Sequence, residues 1–433
     1  MPEISVGIIH ANTIYFTLDG EFAGKDNLTV APGKHCISVN EGVLSLDGMT
    51  IKHLPYLTPQ KDKCRFTLHD VVIGIGFHWQ QKEDQLFKGA LSFVIEDGKL
   101  WAVNTLSIED YLFCVIASEM KSTSSLELLK AHAVVSRSWL MAQIEAKKKP
   151  KTAYRDANIN PATLIKWYDR EDHTLFDVCA DDHCQRYQGL TRANNKTVKK
   201  AIDETSGQLL IYNNEVCDAR FSKCCGGMTE LFESCWQPTH IDYLQSFVDN
   251  PIRPDGTHDW DLSTEEGARN WITSSPDAYC NTTNAEVLRQ VLNDYDVKTT
   301  PQMYRWSISY SPQEISDLIE SKCQLGLGTL QNMEVVERGP SGRIVQLKLI
   351  GSNRTVTIGK ELEIRRALSS SHLQSSAFVV DRNTEGHFIL HGAGWGHGVG
   401  MCQVGAAVMA HKKFAYKTIL YHYFRRAILE KRW

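Results

Sequence analysis

The sequence predicts an α+β fold, on three observations. The first hundred residues alternate apolar and polar positions in short bursts between Asp-Gly and Pro-Gly turns, the period-2 pattern of strands. From Ile108 the apolar period lengthens to about 3.6, the pattern of helices. Alternation then returns in MEVVERGPSGRIVQLKLIGSNRTVTI, a hairpin with Gly-Pro-Ser-Gly at its turn.

In chain order, ISVGII and TIYFTL open a β-rich stretch punctuated at Asp19-Gly20, Pro32-Gly33, Asp47-Gly48 and Asp97-Gly98. This predicts a small β domain over residues 1–72 and a larger domain over 73–433. Tyr111, Leu112, Val115 and Ile116 share one side of a first helix, and a second runs from Leu126 to Ile144 with Ser124 or Ser125 as its cap. The connection between them is SEMKSTSS, residues 118–125. Residues 150–190 read as a polar inserted loop, and 250–335 as a second polar insert carrying the helix PQEISDLIESK. A helix from Thr418 to Glu430 ends the chain, and no internal repeat is found.

With 433 residues and 42% hydrophobic content, the chain is long enough for two or three domains with a substantial core. Its net charge of -4 comes from interspersed acids and bases; the short runs Lys147–Lys149 and Lys199–Lys200 read as solvated helix ends, which argues against a nucleic-acid partner. No apolar run reaches the roughly 18 residues of a transmembrane segment. The opening MPEISVGIIHANTIYFTLDGEF lacks the basic, apolar and small-residue parts of a secretory signal. Among the 12 cysteines, Cys179 with Cys184, and Cys217, Cys224, Cys225 and Cys235, form clusters that suggest metal or bridges; the scattered ones read as buried small hydrophobes.

Four segments can carry chemistry. Glu119 in SEMK stands at a helix end above Val115, Ile116 and Met120, and a partly desolvated carboxyl is a candidate general acid; the alternative is a solvated loop glutamate. His173, Cys179, His183 and Cys184 form H-x5-C-x3-H-C, the donor set of a four-coordinate zinc, although a Cys179–Cys184 disulfide with two incidental histidines is equally open. In SKCCGGMTE, Gly226 and Gly227 permit a tight turn, and Thr229 and Glu230 offer hydrogen bonds to a polar ligand or belong to a plain loop. Finally, GAGWGHGVGMCQVGA places Gly394, Gly396, Gly398 and Gly400 at alternate positions around Trp395 and His397. It satisfies neither GxGxxG nor a Walker loop. Bare main chain beside an aromatic ring suits a sugar face; the other reading is a glycine-rich loop wrapped around its own core.

Together and in this order, these segments resemble the stage II sporulation protein D (SpoIID) family, which includes LytB-type amidase enhancers. The resemblance runs from VNTLSIEDYLFCVIASEM through LKAHAVVSRSWLMA, AIDETSGQLLIYNNEVCDARFSKCCGGMTE and SGRIVQLKLIG to GWGHGVGMCQVGA, roughly residues 75 to 430. It implies a SpoIID-like catalytic domain around a cleft, acting as a peptidoglycan lytic transglycosylase that cleaves the MurNAc–GlcNAc β-1,4 bond and leaves a 1,6-anhydro end. Glu119 would be the single acid and then base; Arg137, Gly226, Gly227, Thr229, Glu230, Trp395, Gly396, His397, Gly398 and Gln403 would hold glycan. The resemblance also implies a structural zinc on His173, Cys179, His183 and Cys184, glycan strands and a cell-wall amidase as partners, and a place in the cell envelope. The rival it leaves is a non-catalytic glycan-binding or amidase-enhancer module. The chain departs from the family's pattern at Lys121, where proline is usual, at His132, where glutamine is usual, and at Cys225 and Cys402, where serine is common. The last two are expected to approach each other and to form a disulfide if close enough.

Overall fold

The computed structural model describes residues 1–24, 29–74, 80–121, 124–148, 157–166, 173–181, 184–193, 195–250, 259–292 and 303–433. They form a mixed α+β structure, as the change of period predicts. Chain contacts group it into two compact units, one of Met1–Ser122 with Glu171–Gly207 and Trp433, the other of Thr123–Arg170 with Gln208–Arg432. This division differs from the boundary expected at residue 72. The strand Glu3–Ala11 pairs with Lys99–Ser107 from Glu3↔Ser107 to Ala11↔Leu100, so the opening of the chain shares a sheet with residues well beyond 72.

In the first unit a seven-stranded sheet runs in the order Val178–Cys179, Glu3–Ala11, Lys99–Ser107, Ala90–Glu96, Tyr56–Pro59, Phe22–Ala23, Thr29–Val30. A six-stranded sheet is built around Arg65–Ile73, Thr13–Asp19 and Gly33–Asn40. Strand alternation decides what each face buries: Ile14, Phe16 and Leu18 are buried while Tyr15 is exposed. Phe16 meets Phe93 of the larger sheet with ring centroids 5.5 Å apart, joining the two sheets in one core. Helix α1 (Ile108–Glu119) follows directly from Lys99–Ser107; its N-cap Ser107 accepts a hydrogen bond from the Asp110 N–H, and Tyr111, Leu112, Val115 and Ile116 are buried as their spacing predicts.

The second unit is centred on helix α2 (Leu126–Ala146), buried without interruption from Ala131 to Leu140. Ser125 holds its N-cap position, while Ser124 Oγ donates to the Gln290 carbonyl. The hairpin of Leu330–Arg338 and Ile344–Gly351 forms as expected, with Thr355–Gly359 as its third strand. Both expected inserts contribute to sheets. Within 150–190, Ala157–Asn160 and Thr163–Lys166 extend that same sheet, and within 250–335 the strand Arg305–Tyr310 pairs with Phe388–Ala393. The helix PQEISDLIESK is present as Pro312–Cys323, closed by a capping box of Ser311 and Glu314. The expected C-terminal helix stops early: it spans Tyr416–Tyr423, the chain turns with Arg426 at φ 72°, and Ile428–Lys431 pairs as a strand with Gln208–Tyr212. Among the described residues no helix is long and apolar enough to cross a membrane.

Candidate functional site

In the first unit Glu119 is the last residue of α1, where Met120 leaves the helix with φ -122° and ψ 148°. Val115 and Ile116 are fully buried and Met120 is 4% exposed, while Glu119 itself is half-buried, so a partly solvent-accessible carboxyl ends a helix whose neighbouring apolar residues are buried.

The thiol loop belongs to the same unit. Its strand Val178–Cys179 pairs in parallel with Glu3–Ala11, and Asp177 Oδ2 accepts from Ser5 N and Oγ at 2.8 and 2.7 Å, which fixes the loop to the sheet edge. The ligand atoms of His173, Cys179 and Cys184 lie within 4.8 Å of one another, with Cys184 Sγ 3.5 Å from His173 Nε2. Both cysteines are free thiols, so the disulfide reading is not the one realised. The fourth expected ligand, His183, lies outside the described residues. Phe176 stacks on the His173 ring at 4.7 Å, holding its plane.

In the second unit, two motifs far apart in sequence are laced together. Cys224 and Trp395 exchange backbone hydrogen bonds at 3.0 and 2.8 Å, the Glu230 N–H donates to the Gly398 carbonyl at 2.9 Å, and Phe221–Ser222 pairs in parallel with Met401–Cys402. Gly394, Gly396, Gly398 and Gly400 all take positive φ, between 71° and 94°. A Cβ at Gly398 would lie 2.4 Å from Arg343 Cζ, and one at Gly400 would lie 2.1 Å from the Arg220 carbonyl oxygen. The bare faces of this glycine lattice therefore lie against the protein's own main chain and the Arg343 guanidinium.

Arg343, 1% exposed, is the clasp of this arrangement, and motif spacing missed it. Its guanidinium donates to the carbonyls of Cys225 and Gly396 and to Ser341 Oγ. Ser341 in turn donates to Glu230 Oε2 at 2.5 Å, while Glu230 Oε1 accepts from Leu231 N and Ser234 Oγ. Burial raises the Glu230 carboxyl above its ordinary value, against the opposing pull of these hydrogen bonds and of Arg343. The only sequence signal for Arg343 was its place beside the Gly-Pro-Ser-Gly turn.

The residues expected to hold glycan divide in two. Arg137 is fully buried and donates to the Gln208 carbonyl; Thr229 and Glu230 are fully buried, Thr229 Oγ1 donating to the Gln245 carbonyl and accepting from the Phe247 N–H. Gln403 is 2% exposed and meets His132 Nε2 at 2.8 Å, and Gly226, Gly227 and Gly398 are buried. Trp395, Gly396 and His397 remain half-buried. His397 Nδ1 accepts from the Val399 N–H, and burial together with Arg220, Arg343 and Arg365 holds its proton affinity well below the ordinary histidine value. Trp236 packs edge-on against it at 4.7 Å, with the Arg220 guanidinium 4.4 Å from the indole centroid. Cys225 and Cys402 do approach, the Cys225 N–H donating to Cys402 Sγ at 3.2 Å, yet both are free thiols.

Known proteins resemble the chain in two blocks. The profile of a stage II sporulation protein family matches residues 96–212, and that of a domain of unknown function, DUF8618, matches residues 230–400. An uncharacterized protein of Brachyspira hyodysenteriae is 26% identical over 342 residues, 78% of this chain and 70% of the relative. Stage II sporulation protein D of Bacillus subtilis is 25% identical over 329 residues, 75% of this chain and 74% of the relative. The amidase enhancer of the same organism is 24% identical over 319 residues, 72% of this chain and 39% of the relative.

Proposed function

Because the chain belongs to the stage II sporulation protein D family, with an amidase enhancer among its relatives, we propose that it remodels the bacterial cell wall as a peptidoglycan lytic transglycosylase. The observation that carries this reading is Glu119: inside the span matched by the family profile, this carboxyl ends a helix whose neighbouring apolar residues are buried and stays half-exposed. In the proposed reaction the protonated Glu119 gives its hydrogen to the glycosidic oxygen as the bond from that oxygen to the MurNAc anomeric carbon breaks. The muramic 6-hydroxyl then bonds to that carbon and its proton passes to the Glu119 carboxylate, restoring the acid and closing the 1,6-anhydro ring. No water is consumed. One carboxyl serves both halves of the cycle, unlike hydrolases that set two carboxyls across the bond.

Of the residues expected to bind glycan, Trp395, Gly396 and His397 keep the exposure that direct contact needs. Arg137, Gly226, Gly227, Thr229, Glu230, Gly398 and Gln403 act instead by fixing the backbone that presents them. His173, Cys179 and Cys184 are three donors suited to a zinc ion; were His183, outside the described residues, the fourth, the set would be the closed Cys2His2 of a structural site. Peptidoglycan as substrate places the protein in the cell envelope.

Incubation with purified sacculi, followed by mass spectrometry of the released muropeptides, tests the proposal. Anhydro-muropeptides are expected, and Glu119→Gln should lower their release by about 100-fold or more. Reducing ends in place of anhydro ends would make the protein a hydrolase. The amidase-enhancer relative favours one other reading, a binding module that activates a wall amidase; sedimentation with sacculi without release, and faster amidase turnover in its presence, would select it.

A further inference from the structure

Apart from the loop of the first unit, a second group of metal-ligating side chains comes together among the described residues, wholly inside the second unit. Cys225, Asp249, Cys280 and Cys402 are all buried, and one ligand atom of each lies within 4.8 Å of all the others. Cys225 Sγ is 3.5 Å from Cys280 Sγ and 3.6 Å from Asp249 Oδ2. Ligands of a tetrahedral ion with metal–sulfur bonds of about 2.3 Å stand about 3.8 Å apart, whereas a disulfide brings its sulfurs to about 2.05 Å. The observed spacing is too long for a disulfide and fits the ligands of a tetrahedral ion.

The surroundings agree with that chemistry. Cys402 Sγ accepts the N–H groups of Cys225 and Gly405 at 3.2 and 3.4 Å, and Cys402 is the N-cap of the helix Gln403–His411, where a thiolate is favoured. Asp249 Oδ1 is held by His422 Nε2 at 2.8 Å and Tyr423 Oη at 3.1 Å, the outer support that orients ligating carboxylates. Gly405 leaves room for this packing: a Cβ there would lie 2.2 Å from Tyr423 Oη and 2.4 Å from Asp249 Oδ2. A cation among three thiols and a carboxylate would let all four donors be satisfied at once in this dry interior.

We propose that Cys225, Cys280, Cys402 and Asp249 form a second zinc site, structural in role. The sulfur-rich donor set selects zinc over hard cations such as calcium or magnesium, and four protein donors leave no open position for catalysis. Cys224, the neighbour of Cys225 in the chain, is also fully buried. The ion joins the CCGG turn, the segment ending at Cys280 and the start of the Gln403 helix. It thereby braces the glycine lattice that presents Trp395 and His397.

The test uses the full chain carrying His173→Ala and Cys184→Ser, which removes the loop's own ligands; Cys179→Ser replaces that pair if it does not fold. After purification with reductant and zinc, the folded variant should retain one equivalent of zinc by elemental mass spectrometry. Exchange with cobalt(II) should give the near-ultraviolet thiolate-to-cobalt charge-transfer band. Adding Cys280→Ser and Cys402→Ser should abolish both signals. A folded loop variant that keeps no zinc and gives no cobalt band overturns the proposal, and so does a disulfide linking Cys225, Cys280 or Cys402 in peptide maps made without reductant. The cobalt reading is taken with the cluster intact, so it does not depend on whether the cysteine variants fold.

Discussion

His173 and Cys184 meet across 11 residues of chain, whereas Cys225 and Cys402 meet across 177. The first group is anchored by a short strand pairing, the Asp177–Ser5 hydrogen bonds and a stacked ring, and keeps some exposure. The second is fully buried, and the segments that form it are also bound by the lattice of glycines, Arg343 and Glu230. Local clusters depend on few neighbours. Assembled clusters share neighbours with the rest of their core, so a change at one position should spread in the second unit and stay confined in the first.

Arg343→Met gives the largest expected effect. It strips the guanidinium donors from the Cys225 and Gly396 carbonyls and removes the Arg343 charge that stabilises the buried Glu230 carboxylate. Removing one partner of a buried charge network costs about 3–5 kcal/mol. Urea unfolding should show that loss together with greater reactivity of the buried cysteines toward a thiol reagent. A loss below about 1 kcal/mol would mean that the lattice holds without its clasp.

This contrast also explains what was legible in the sequence. The strands of the opening, α1, α2 and the Leu330–Gly351 hairpin were legible because their signals are local: alternation, a 3.6 period, caps and turns. The convergence of His173, Cys179 and Cys184 was legible for the same reason, since their spacing falls within one short segment. Cys280 read only as a scattered buried cysteine, and Asp249, His422 and Tyr423 gave no signal, because what joins them is tertiary contact. Thr229 and Glu230 were read from their polarity, and Arg137 and Gln403 from the resemblance, as ligand-binding; the structure shows all four buried and hydrogen-bonded within the core, which no motif spacing signals. The alternate glycines were conspicuous, and their reason is left-handed backbone packed against the neighbouring turn. The strand at Arg305–Tyr310 was hidden by the polar residues around it.

The next effect concerns His132. It is fully buried, set edge-on to Phe221 at 4.7 Å, and accepts at Nε2 from Gln403. Burial, assisted by Lys223, pushes it from 6.5 down to about 3. The unfolded chain therefore takes up a proton below pH 6.5 that the folded chain refuses until about pH 3, and stability falls as pH falls through that window. At about 1.4 kcal/mol per pH unit, the wild type should lose about 2 kcal/mol from this group between pH 7 and pH 5. His132→Gln keeps a hydrogen-bonding side chain and removes the titration, so its stability should be flatter by that amount in urea titrations at the two pH values. Parallel curves would show that His132 titrates alike in both states.

The smallest effect probes the first unit and whether its cluster is as self-contained as its anchoring suggests. A Cβ on Gly7 would lie 2.4 Å from Phe176 Cζ and 2.6 Å from two further ring atoms, so the ring must shift. What moves is the end of one side chain and not backbone, which puts the cost of Gly7→Ala at about 1 kcal/mol, the low end for overpacking. The same ring stacks on His173 at 4.7 Å and lies edge-on to Trp101 at 5.0 Å, so the shift also tilts an imidazole proposed to hold zinc. Disturbing the support of a metal ligand lowers affinity by about 10-fold or more. Competition with a chromogenic chelator should therefore release one zinc from Gly7→Ala about 10-fold more readily, while zinc on Cys225, Asp249, Cys280 and Cys402 is held as in the parent chain. Equal weakening of both ions would show that the two clusters are coupled, and the contrast between a local and an assembled site would fail at the point where it predicts the least disturbance.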